Sequence, residues 1–139
     1  MKYPAVGVES VMLAPGALAT TARTANLDCL GANYATIRVS LSAELNTNST
    51  NVVLALLESD DTTATNFATF DATFNRTVDN TAAAVAVSHV NLIGRKRYLR
   101  ISITPDTTTN GTVYSCANAT LYKGVRSGTI SDYGSVAVG

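Results

Sequence analysis

The chain has 139 residues, ten basic and ten acidic, so its formal net charge is zero. Only 14% of residues are charged, against roughly 25% in an average soluble domain. This length buries one core, and the charge balance excludes an electrostatic nucleic-acid binder. A single His and two Cys cannot assemble a zinc site alone, and 46% hydrophobic residues exclude disorder.

Thr, Ser and Asn replace charge, and Gln and Trp are absent. Thr suits a pleated surface because its Cβ is branched, while Ser and Asn favour turns. So little Lys and Glu makes poor helix material, and the expected class is all-β. The N-terminus has one Lys and is interrupted by Pro4, Gly7, Glu9 and Pro15. No signal-peptide core or membrane-spanning run is read there, so synthesis in a cytoplasm is expected.

In chain order, Met1 to Ala17 has an arm-like composition, with a weak strand at Val6 to Leu13 and another at Ala19 to Leu27. Tyr34 to Ser42 is a clear strand: Ile37, Val39 and Leu41 alternate with Arg38, Ser40 and Ser42. Asn46 to Asn51 reads as a loop. Val52 to Glu58 is a continuous apolar run, expected as a strand covered on both faces. Ser59 to Thr63 is a turn, Phe67 and Phe70 lie in a segment of undefined form, and Ala82 to Val90 is a strand.

Arg97 to Thr104 alternates again, with Leu99, Ile101 and Ile103 opposite Tyr98, Arg100 and Ser102. Pro105 to Gly111 is a turn signal, and Thr112 to Tyr122 is expected to return beside the preceding strand as a hairpin. That hairpin would make Tyr98 and Tyr114 cross-strand neighbours. Gly124 to Gly139 is rich in Gly and Ser and is expected, like the head, to be a docking arm. Tyr3 and Val6 in the head, and Val125, Ile130 and Tyr133 in the tail, are the side chains such arms would place on a partner. The count, seven or eight strands at regular spacing, predicts one antiparallel β-sandwich domain over residues 1–139, of jelly-roll or immunoglobulin-like type, with arms at 1–17 and 124–139.

The chemistry-bearing residues are sparse. His89 is the one base a hydrolase triad could use, yet Ser88 beside it must face the other way on a strand, and no G-x-S-x-G elbow occurs. Glu58, Asp60, Asp61 and Asp71 form an acidic cluster without the spacing of a calcium loop. A solvated turn is the plainer account, and no cofactor, metal or catalytic residue is assigned. Arg95-Lys96-Arg97, after Gly94 and with Arg100 beyond, is the basic run. It reads either as an ordinary charged loop or as a contact for an acidic partner surface. Cys29 and Cys116 are expected to be free, buried thiols. The sequons at Asn48, Asn75, Asn110 and Asn118 follow from a Thr- and Asn-rich composition.

Three segments carry a resemblance: Val52 to Asp61, ending in Glu58-Ser59-Asp60-Asp61; Gly94 to Ile103, containing Gly94-Arg95-Lys96-Arg97-Tyr98-Leu99-Arg100; and Gly111-Thr112-Val113-Tyr114 through Leu121-Tyr122-Lys123-Gly124. Together they resemble small tailed-bacteriophage virion proteins, several of which are similar to capsid decoration, or cement, proteins with a β-sandwich or jelly-roll fold. The match spans Val52 to Gly124. It implies a non-enzymatic role on the capsid exterior of a virion made in a bacterial cytoplasm. The implied partners are the phage major capsid protein and the chain itself, as a trimer ahead of a dimer, with no nucleic acid, membrane or small-molecule substrate. A tail or head-tail joining protein and a carbohydrate-binding β-sandwich module, with Tyr34, Tyr98, Tyr114 and Tyr122 as candidate sugar platforms, are the alternatives.

Overall fold

The computed structural model describes residues 6–18, 22–43, 50–70, 74–78, 83–105, 113–123 and 134–138. Strands follow in the order β1 (Val6–Leu18), β2 (Arg23–Asp28), β3 (Tyr34–Leu41) and β4 (Thr50–Ser59). A short 3-10 turn (Ala64–Asn66) precedes β5 (Ala68–Thr69), then β6 (Phe74–Val78), β7 (Ala84–Asn91), β8 (Tyr98–Pro105), β9 (Val113–Lys123) and β10 (Gly134–Val138).

The strands form two antiparallel sheets. The first has the order β1-β9-β3-β7-β10. The second has the order β2-β8-β4, with β5 and β6 pairing successive stretches of β4. From β1 to β4 the chain changes sheet with every strand, and it does so again from β6 through β9. That alternation makes the sandwich a jelly roll, with β10 added at the β7 edge, and excludes the immunoglobulin order.

The core is built by period-two alternation. Ile37, Val39 and Leu41 of β3 lie 1–2% exposed, and Leu99, Ile101 and Ile103 of β8 lie 0–1% exposed. They meet Val52, Leu54 and Leu56 of β4, Ala86 and Val90 of β7, and Val113, Ala117 and Ala119 of β9 in one cluster. Arg23 crosses between the sheets. Its guanidinium donates to the Gly16, Ser115 and Ala14 carbonyls, at 3.0, 2.5 and 2.8 Å, and to Ser115 Oγ at 3.0 Å. A Cβ at Gly16 would stand 2.8 Å from the Arg23 Nη2, so a side chain there would have to displace the guanidinium.

Four expectations are corrected. β8 and β9 do not form a hairpin: β8 pairs with β2 and β4, and β9 with β1 and β3, in different sheets. Tyr98 therefore lies opposite Asp28 and Ser59, and Tyr114 opposite Ala17, so the two tyrosines are not neighbours. The Val52–Glu58 run is covered on one face only; Val53, Ala55 and Leu57 are half-buried, because a two-layer sandwich packs each sheet on one side. The head is not a free arm from Val6 onward, since β1 runs beside β9 from Val6↔Lys123 to Leu18↔Val113. At the other end Gly134–Val138 pairs with β7, which places that part of the tail in the sheet as well. Pairing satisfies backbone N–H and C=O groups that a free arm leaves to water.

Candidate docking surfaces

One end of the sandwich carries the β2–β3, β4–β5 and β7–β8 connections. Two of these are the same turn built twice. At Asp28-Cys29-Leu30-Gly31 the Leu30 N–H donates to Asp28 Oδ1 (3.0 Å), the Ala32 N–H donates to the Cys29 carbonyl (3.0 Å), and Gly31 takes φ 77°. At Asn91-Leu92-Ile93-Gly94 the Ile93 N–H donates to Asn91 Oδ1 (3.0 Å), the Arg95 N–H donates to the Leu92 carbonyl (3.1 Å), and Gly94 takes φ 79°. Positive φ in third place is what a type II turn requires, and glycine adopts it without strain. The two turns sit side by side, joined by the Leu92 N–H donating to the Asn33 carbonyl at 2.9 Å.

Each turn tucks one side chain in and holds one out. Cys29 and Leu92 are buried, whereas Leu30 and Ile93 are 65% and 48% exposed. The fold places no demand on the side chain at the tip of such a turn. Each tip nevertheless carries a large apolar residue.

The basic run lies directly beside these tips, and its acidic partners are in its own chain. Arg97 forms a fork with Asp28, with Nε to Oδ1 at 3.0 Å and Nη2 to Oδ2 at 2.7 Å, and it lies 4.8 Å over the Tyr98 ring. That guanidinium first, and the Leu30 N–H second, hold the Asp28 carboxyl at about 2, and its hydrogen bond to the Asp28 carboxylate raises Arg97 in turn. Arg95 reaches Glu58 at 3.8 Å and lies 4.4 Å from the Phe70 ring centre. Lys96 Nζ pairs with Asp60 at 3.4 Å, and its backbone N–H donates to Glu58 Oε2 at 3.2 Å. Each of the three basic side chains thus has an acidic partner within the described residues of its own chain.

Asp61 accepts from the Thr63 N–H and the Asn66 side-chain amide, each at 2.8 Å, and these bonds lower its pKa. Asp61 is thus held by hydrogen bonds within the segment that follows Ser59, while Asp60 pairs with Lys96. Asp71 lies outside the described residues.

The outward face of the β1-β9-β3-β7-β10 sheet is the second surface. Strand register aligns Gly7, Tyr122, Tyr34 and Asn91 in one row, and Glu9, Thr120, Thr36 and His89 in the next. Tyr34 stacks on His89 at 6.1 Å and packs against Tyr122 at 5.6 Å, and Thr36 Oγ1 meets His89 Nδ1 at 3.3 Å. Tyr122 lies across Gly7, where a Cβ would come within 3.1 Å of its ring. Ser88 faces the core at 2% exposure while His89 faces out, so the adjacent pair is split across the sheet. Farther along, Tyr114 is 47% exposed beside a shallow depression of about 260 Å³ lined by Pro15, Ser40, Ser42 and Cys116. Cys29 and Cys116 are both free; Cys29 is buried and Cys116 only partly so.

No protein-family model matches the sequence, and neither does any curated protein. A chain of a solved structure of Desmodium yellow mottle tymovirus superposes with a TM-score of 0.36 and 9% identity, over 94% of this chain and 94% of that one. The jelly-roll assignment rests on the strand registers above and not on that superposition.

Of the residues expected to touch a partner, Arg95, Lys96 and Arg97 stand together at the loop end, and Val6 opens β1 opposite Lys123. Tyr3, Val125, Ile130 and Tyr133 lie outside the described residues. Leu30 and Ile93 escaped sequence reasoning. Their signal is the repeated pattern of Asp or Asn, an apolar residue, Leu or Ile, then Gly, at Asp28–Gly31 and Asn91–Gly94. Arg23 carried no local signal, because its partners are 7 to 92 residues away.

Proposed function

We propose that this chain is a non-enzymatic virion structural protein. In this reading it decorates the outside of a tailed-phage head, binds the major capsid protein lattice, associates with itself, and is made in the host bacterial cytoplasm. The jelly roll is an architecture used by viral capsid and lectin domains alike, so fold alone does not choose between them. The observation that carries the reading is the paired turn tips. Leu30 and Ile93 are held out by a rigid, duplicated backbone device, above charges already neutralised within the chain. Such a surface docks on protein without stripping water from unpaired charges. The resemblance over Val52 to Gly124 supports the same role.

The test is a particle experiment. Heads lacking this chain should lose heat or low-salt resistance, and adding the purified chain should restore it at a copy number that scales with the major capsid protein. The double variant Leu30→Asp, Ile93→Asp should fold and fail to restore it. Unchanged resistance of heads lacking the chain would exclude a stabilising role, and a dozen copies or fewer per particle would indicate a tail or joining component.

A second reading, a carbohydrate-binding module, is favoured by one observation: the Tyr34, His89 and Tyr122 rings on the sheet face. A glycan array without hits would dismiss it.

A further inference from the structure

β1 is the outer strand of its sheet, and among the described residues no strand pairs with its second side. Its two halves treat that open edge differently. The half from Met12 to Leu18 is guarded. Its register slips between Val11 and Leu13 and again between Leu13 and Gly16, Pro15 has no N–H, and the Ala14 and Gly16 carbonyls are occupied by Arg23. The half from Val6 to Val11 runs in unbroken register with β9, from Lys123 to Asn118. It has no bulge, no proline and no lysine, and Glu9 is its one charge. Val8 and Val11 on it are 53% and 67% exposed. Edge strands are ordinarily blunted by the very devices that the second half has and the first half lacks.

The geometry points to a second copy of this chain as the occupant: the β1 edges of two copies pair antiparallel about a twofold axis at Val8, joining two five-stranded sheets into one. This names the surface for the self-association included in the reading above. Charge and shape select the register. Centring on Glu9 would set two carboxylates directly opposite each other, which destabilises a strand pair. Centring on Val8 sets Val8 against the partner's Val8, and Glu9 against the partner's Gly7, which has no side chain to obstruct it. Val6 then lies opposite the partner's Ser10, and the pairing stops before the bulge after Val11. Val8 shares the inner side of the sheet with half-buried Leu121, its partner on β9, so the junction gains an apolar contact as well as backbone hydrogen bonds.

Sedimentation velocity of the full chain over a concentration series tests this. Wild type should pass from monomer to dimer. Val8→Lys, which places two ammonium groups at the axis, should remain monomeric at every concentration, with thermal unfolding unchanged at dilutions where wild type is also monomeric. Tyr114→Ser, on the same sheet but away from the edge, should dimerise as wild type does. Val8→Cys should form a disulfide-linked dimer under mild oxidation, faster than Tyr114→Cys. A wild-type chain that stays monomeric, one that forms trimers, or a V8K variant that still dimerises would overturn the proposal. A monomer that dimerises only after removal of residues 1–5 would assign the edge to the chain's own N-terminal segment and also overturn it. Particle binding is read separately, through L30D/I93D, so loss of either property leaves the other interpretable.

Discussion

The two sheets are alike inside and unlike outside. Ile37 in one and Ile101 in the other are each 1% exposed, and both sheets bury alternate residues in one cluster. Outward, the β2-β8-β4 sheet spends its charge on itself: Arg100 bonds Asn26 at 2.7 Å and covers the Phe67 ring at 3.9 Å, while Arg97 is forked to Asp28 just before β8. The outward face of the β1-β9-β3-β7 sheet carries Tyr34, Thr36, Ser40, Asn118, Thr120 and Tyr122, with Arg38 the exposed charge at the centre of β3. The same buried pattern thus supports two outer faces of different make, one whose charges are paired within the chain and one carrying mainly uncharged polar and aromatic side chains. Stability is expected to follow the interior, and assembly the exterior.

The largest effect should come from the shared interior. Ile101→Ala and Ile37→Ala should each cost about 3–4 kcal/mol in chemical denaturation, since each deletes a fully buried branched side chain. A large difference between the two would mean that one sheet dominates the core. Next comes the link between sheets. Arg23→Met removes the guanidinium that ties β2 to β1 and β9, and should cost about 2–3 kcal/mol.

A smaller effect is expected at the loop end. Asp28 is held at about 2, below its ordinary 3.8. A carboxyl lowered on folding stabilises the fold above its unfolded value, and that contribution is lost as pH falls through the folded one. Wild type should therefore lose some melting temperature between about pH 4 and pH 2 that Asp28→Asn does not lose, and the exposed position keeps the difference small.

Smallest of all, Leu30→Ser with Ile93→Ser should leave stability within about 0.5 kcal/mol of wild type, because neither tip touches the core. Lost particle binding at unchanged stability would sharpen the division between interior and exterior. Alkylation should label Cys116 before Cys29, whose burial pushes its thiol up to about 11.

The pleat made much of this legible in advance. Alternation along Tyr34–Leu41 and Tyr98–Pro105 identified buried faces residue by residue, since side chains on a strand can point only two ways. The all-β sandwich and the turn at Asp60-Asp61 were equally readable, because each depends on residues near one another in sequence. Strand partners were not. Val113 to Lys123 has the same alternation whether it lies beside β8 or across the core from it, and only the packed chain placed it between β1 and β3. The basic run showed its charge but not its neutralisation, for Asp28 is 69 residues from Arg97 and Glu58 is 38 from Lys96. The low charge, the absent Trp and the Thr-rich strands determined a β-built, weakly charged surface. Which parts of that surface are closed by the chain's own residues, and which are left open at β1 and the two turn tips, was decided by tertiary structure, because long-range pairing consumes partners that local sequence leaves unassigned.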